Sequence, residues 1–96
     1  MDAKEKLRIF KALGNETRLF IIESLMAGEK CVCEIIPATG RKQCTVSLQL
    51  SKLMNLGVIS SRREGKRVYY KISNPAVYKI LNELNDFNPY TLKDGD

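Results

Sequence analysis

The sequence predicts a mainly α fold with a small β-hairpin: a winged helix-turn-helix of five helices and a two-stranded wing. Two adjacent stretches carry that prediction. In residues 43–54, Val46, Leu50 and Leu53 recur at i, i+4, i+7, so one helical stripe faces a core while Thr45, Gln49 and Lys52 face away; Gly57 closes the helix. Residues 58–63 and 66–72 are β-rich runs separated by Glu64-Gly65, which reads as a hairpin with a two-residue turn. A third observation joins them to the rest: a glycine-containing turn at 38–42 links the reading helix to a helical segment before it, which is helix-turn-helix order.

The other elements follow in order. Asp2 can cap a first helix over 3–13, with Leu7, Phe10 and Leu13 along one side, and Gly14 stops it. Asn15 caps a second helix over 16–26, with Glu16 in its first turn and Leu19, Ile22 and Leu25 or Met26 as the buried stripe. Residues 31–36 read as a short third helix with Val32, Ile35 and Ile36 on one face, which Pro37 is expected to shorten or distort. Asn74 caps a last helix with Pro75 at its first position, and Val77, Ile80, Leu81 and Leu84 repeat at helical spacing. Amphipathic helices at both ends leave apolar surface that symmetric dimerisation would bury. A frayed tail is expected from about residue 87, within a single domain over 1–96.

Charge narrows the function classes. The 96 residues carry 16 Lys+Arg against 11 Asp+Glu, net +5, and the basic residues cluster between Lys30 and Lys71. A polyanionic partner, double-stranded DNA, fits that placement. No run approaches the roughly 18 apolar residues a membrane span needs, and the start, 1–6, is charged, so a cytoplasmic protein with no membrane partner is expected. Histidine is absent, which removes Ser-His and Cys-His catalysis and imidazole metal sites; an enzyme is not expected. Cysteines number three, and Cys31 and Cys33 are expected to lie too close for a comfortable bridge with each other, which leaves thiols to explain.

Gln43, Thr45 and Gln49 suit base edges, Gln by a bidentate contact to adenine and Thr by its hydroxyl or methyl; Leu48 can touch a thymine methyl, and Ser47 shares the helix with them. Lys42, Lys52, Arg62, Arg63, Lys66 and Arg67 are assigned to phosphates, with one wing Arg able to reach the minor groove. Of Tyr69 and Tyr70, which alternate across the ribbon, one is expected in the core. Soft thiolates at Cys31 and Cys33 admit trivalent arsenic or antimony, Cu(I), cadmium and lead. Side chains two apart on a regular helix point roughly 200° apart, so the pair can share an ion only if Cys31 lies at or before the helix start, or the turn is distorted. Cys44, at the start of the reading helix beside Arg41 and Lys42, reads as a third ligand, a redox-reactive thiol or a residue with no thiol role.

Together these residues resemble the ArsR/SmtB family of winged helix-turn-helix metalloregulators. Residues 12–19 (Ala-Leu-Gly-Asn-Glu-Thr-Arg-Leu) are similar to that family's second-helix start, 43–53 to its recognition helix and 62–72 to its wing, and the likeness runs from about Leu7 to Leu84. The resemblance implies a homodimer built from the first and last helices, binding a two-fold operator as a repressor until an inducer releases it, with no cofactor needed for DNA binding. Cys31-Val32-Cys33-Glu34 is similar to the third-helix signature of the arsenic and antimony sensors, which implies As(III)/Sb(III) or another thiophilic ion as inducer through Cys31, Cys33 and Cys44. Ile36 stands where those sensors carry a third cysteine, Cys44 where the family often has proline, and the N-terminal arm lacks the cysteines of cadmium and lead sensors. A redox-sensing regulator of the same fold is the alternative function.

Overall fold

The structure is a computed structural model that describes residues 1–86; the expected tail lies outside the described residues. In chain order it contains α1 (Ala3–Leu13), α2 (Glu16–Leu25), β1 (Lys30–Cys31), α3 (Val32–Thr39), α4 (Gln43–Asn55), β2 (Ile59–Glu64), β3 (Arg67–Ile72) and α5 (Pro75–Asp86). Local chemistry sets the boundaries. Asp2 accepts from the Glu5 N–H at 2.9 Å and Asn15 from the Arg18 N–H at 3.1 Å, each satisfying a first-turn donor with no partner inside its helix. Gly40, at φ 67°, ends α3 in the left-handed conformation that glycine adopts without strain. Asn74 starts α5 by accepting from the Ala76 N–H at 2.9 Å.

One core binds these elements. Ile9 and Ala12 of α1, Ile21, Ile22 and Leu25 of α2, Ile35 of α3, and Val46, Leu50 and Leu53 of α4 meet Val58, Ile59, Ile72, Val77 and Leu81, all buried. Each large side chain so buried contributes about 1.5–3 kcal/mol by leaving water. On α1, Ile9 and Ala12 face inward, while Leu7 and Phe10 are 55% and 63% exposed. Helical period could locate an apolar stripe but could not choose between two neighbouring ones.

Three expectations are corrected. The wing is part of a three-stranded antiparallel sheet in the order β1-β3-β2, because Lys30 and Cys31 pair with Tyr70 and Tyr69. The hairpin turn is Gly65-Lys66, not Glu64-Gly65, since Glu64 pairs with Arg67. Gly65 takes φ 63° at the first turn position and, among the described residues, no non-glycine residue has positive φ, the pattern of a turn with Gly leading. Finally, α3 runs through Pro37 to Thr39. Pro37 removes the N–H that would reach the Cys33 carbonyl, but Cys33 and Pro37 are both exposed, so water can take that carbonyl.

Candidate nucleic-acid interface and thiol site

On α4 the buried stripe is Val46, Leu50 and Leu53, as the spacing predicts. Opposite it, Gln43, Cys44, Ser47, Leu48, Ser51 and Lys52 are exposed, with Leu48 at 54%. Thr45 and Gln49 are half-buried at the edge of that face. Gln49 is engaged within the protein: its Oε1 accepts from Arg18 Nε at 2.8 Å, while Arg18 Nη1 donates to the Lys11 carbonyl at 2.8 Å. A bidentate contact from Gln49 to adenine would require this hydrogen bond to give way. Arg18, 31 positions away, reaches it only after α2 packs on α4, so the sequence carried no signal of the contact. Lys42 is the N-cap of α4 and makes no side-chain cap bond, which leaves first-turn N–H groups open to an anion.

The turn before α4 is fixed by Arg41. Its guanidinium pairs with Glu16 and lies over the Phe20 ring at 5.6 Å, and its backbone N–H donates to Thr39 Oγ1 at 3.3 Å. Arg41 thus ties the start of α2 to the turn and sets the approach of the reading helix.

The wing presents its cations unequally. Arg63, Lys66 and Arg67 are exposed and, among the described residues, have no carboxylate within ion-pair distance. Arg62 differs. Its Nε reaches both Glu29 oxygens at 3.0 and 2.9 Å, its Nη2 reaches Glu29 Oε1 at 2.6 Å, and its Nη1 reaches Glu64 Oε2 at 2.8 Å. The guanidinium also lies 4.7 Å from the centre of the Tyr69 ring, across the ladder from it. Hydrogen bonding to Arg62 holds the Glu29 carboxyl below the ordinary glutamate range, and bonding to Glu29, then Glu64, raises Arg62 above its own. Tyr70 is half-buried and is the tyrosine of the pair that packs against the core.

The thiols are placed by the start of α3. Cys31 is its N-cap, extended at φ −68° and ψ 149°, and its Sγ accepts from the Cys33 N–H at 3.3 Å. Glu34 Oε1 completes a capping box by accepting from the Cys31 N–H at 3.1 Å. Because Cys31 lies outside the helix, the helical offset between the two side chains does not apply, and the condition for sharing one ion is met. Against the expectation of no comfortable bridge, Cys31 and Cys33 sit together as a disulfide pair, with Cα atoms 5.2 Å apart. Cys44 is a free, exposed thiol, and no group of three or more metal-ligating side chains forms among the described residues. The structure therefore does not bring Cys44 to the pair.

The sequence matches the family described as bacterial regulatory protein, arsR family, over residues 15–61. It is 36% identical to the nodulation protein NolR of Rhizobium meliloti over 85 residues, covering 88% of this chain and 70% of that protein. The chain belongs to the ArsR family. As an ArsR-family protein it is a winged helix-turn-helix DNA-binding transcriptional regulator and not an enzyme. It is 37% identical to a probable mercury resistance operon repressor of Streptomyces lividans over 77% of this chain, and it spans 59% of that repressor's length. Among solved structures it resembles the homodimeric winged helix-turn-helix DNA-binding domain Mb0332 of Mycobacterium bovis. The two are 37% identical with a TM-score of 0.75, over 84% of this chain and 75% of that one.

Proposed function

We propose that this ArsR-family chain is a homodimeric, operator-binding repressor that leaves DNA when a thiophilic ion, arsenite or antimonite first, is held by Cys31 and Cys33. The single observation that carries this is the N-cap position of Cys31, which lets two soft donors converge at the helix leading into the reading helix. Ile35 of the same helix is fully buried in one cluster with Val46 and Leu50 of α4, so a displaced α3 front turn shifts the reading helix. Gln43, Thr45, Ser47 and Leu48 are the candidate base contacts; Lys42, Lys52, Arg63, Lys66 and Arg67 are the phosphate contacts. Homodimerisation is supported by Leu7, Phe10 and Leu84, exposed at 55%, 63% and 63%, and by a groove of about 110 Å³ lined by Ile9, Phe10, Ala76 and Ile80 between α1 and α5. The homodimeric Mycobacterium bovis domain supports the same assembly, and the probable mercury resistance operon repressor of Streptomyces lividans supports a repressor that serves metal resistance.

The test is release from an operator obtained by in vitro selection, followed by fluorescence anisotropy against arsenite, antimonite, mercuric and cadmium ions. Cys31→Ser and Cys33→Ser should bind the operator normally and resist release. Normal release of both variants by every ion would overturn the thiolate reading. The disulfide favours a second reading, redox sensing: a hydroperoxide takes two electrons and two protons from the two thiols, joins the sulfurs, and is reduced to water and an alcohol. Release by peroxide but by no ion selects it.

A further inference from the structure

Arg62 is the wing cation whose three guanidinium nitrogens are already engaged. Glu29 takes its Nε and Nη2, Glu64 takes its Nη1, and Tyr69 supports its plane. A DNA phosphate needs the same planar fork of donors, so phosphate and Glu29 compete for one site. Glu29 immediately precedes β1, and β1 ends at Cys31, whose ladder partner is Tyr69, the residue also opposite Arg62. The carboxylate clamp and the joined cysteines thus sit at opposite ends of one two-residue strand. A strand that short has few bonds of its own, so what happens at Cys31 reaches Glu29.

We propose that Arg62 is a gated phosphate contact: Glu29 is a positioning residue that keeps its guanidinium off DNA while Cys31 and Cys33 are joined, and parting the two sulfurs loosens β1 and frees Arg62 for the backbone. This rests on the DNA-contact reading of the wing. Arg63, Lys66 and Arg67, with no carboxylate at ion-pair distance among the described residues, are the standing contacts. Joining the sulfurs therefore weakens the non-specific part of DNA binding by one contact, apart from any shift of α4.

Phosphate contacts are independent of sequence, so a mixed-sequence duplex measures them, and each adds about 0.9 to the steepness of log K against log salt. The full chain is compared in its disulfide form and after dithiothreitol reduction, in which the reductant closes to a cyclic disulfide and the protein sulfurs leave as thiols. Wild type should show a slope shallower by about one in the disulfide form. Glu29→Gln should steepen the disulfide-form slope by about one and remove the difference between the two forms. The double variant Glu29→Gln/Arg62→Ala should return to the shallow slope, and Glu23→Gln, which removes the same charge elsewhere, should leave the slope unchanged. Steepening that survives in the double variant, or that Glu23→Gln reproduces, would overturn the gate, as would equal wild-type slopes in the two forms. Absence of any DNA binding by the wild type would instead refute the DNA-contact reading on which the gate rests.

Discussion

Cys31 has two separable duties, a thiol and a helix cap, and substitution can divide them. Its sulfur accepts from the Cys33 N–H at 3.3 Å while Glu34 returns to its own N–H at 3.1 Å, which is the geometry of a capping box with sulfur in place of a hydroxyl. Serine keeps an acceptor there, and a better one than sulfur; alanine removes it and leaves a first-turn donor unpaired. Loss of an N-cap costs about 0.5–2 kcal/mol, and in a domain of this size each kcal/mol lowers the melting temperature by about 4–8 °C. Cys31→Ala is therefore expected to melt several degrees below Cys31→Ser, with wild type measured under reductant so that the disulfide contributes nothing. Both variants should lose the thiol response, but only alanine should lose stability. Thermal unfolding reports the stability and operator release the thiol response. An alanine variant as stable as the serine variant would show that the sulfur is not a cap. Adding Glu34→Ala completes a cycle: its cost should be larger in wild type than in Cys31→Ala, because the two caps order the same turn.

The other predictions address the reading face, the apolar helices and the wing. Gln49→Ala should lower stability by about 1 kcal/mol, the net worth of the hydrogen bond it takes from Arg18. It should leave the ratio of operator to random-DNA affinity unchanged, whereas Leu48→Ala should reduce that ratio; anisotropy titrations on both DNAs decide it. Phe10→Asp puts a charge on the exposed apolar side of α1 and should convert a homodimer to monomer in sedimentation velocity without unfolding the chain. Glu29, with its pKa lowered from the ordinary 4.5 chiefly by its hydrogen bond to Arg62, remains ionised below the pH at which a free glutamate protonates. The stability it contributes is present above about 4.5 and is lost as the pH falls through its lowered folded value. Its carboxyl carbon resonance should titrate with a depressed midpoint that returns toward the ordinary value in Arg62→Ala.

The sequence alone determined the order of helices, the buried stripe Val46-Leu50-Leu53, the caps at Asp2, Asn15 and Asn74, and the basic ribbon after the reading helix. These are local matters: period, cap chemistry and β-propensity act within a few residues, and reading along the chain finds them. What it could not determine was which outward residue is free. Gln49 and Arg62 both face outward by pattern, yet Arg18 holds one and Glu29 the other, from 31 and 33 positions away. The same is true of β1, which exists only because β3 lies beside it, and of α1, whose inward side was decided by what packs on it. Cys31 and Cys33 show both halves in one place: the sequence placed two soft donors near a helix start, and the extended N-cap backbone beside β3 brought their sulfurs together. A hydrogen bond or an ion pair depends on atoms being adjacent in space, and only the tertiary structure decides which distant residues become neighbours.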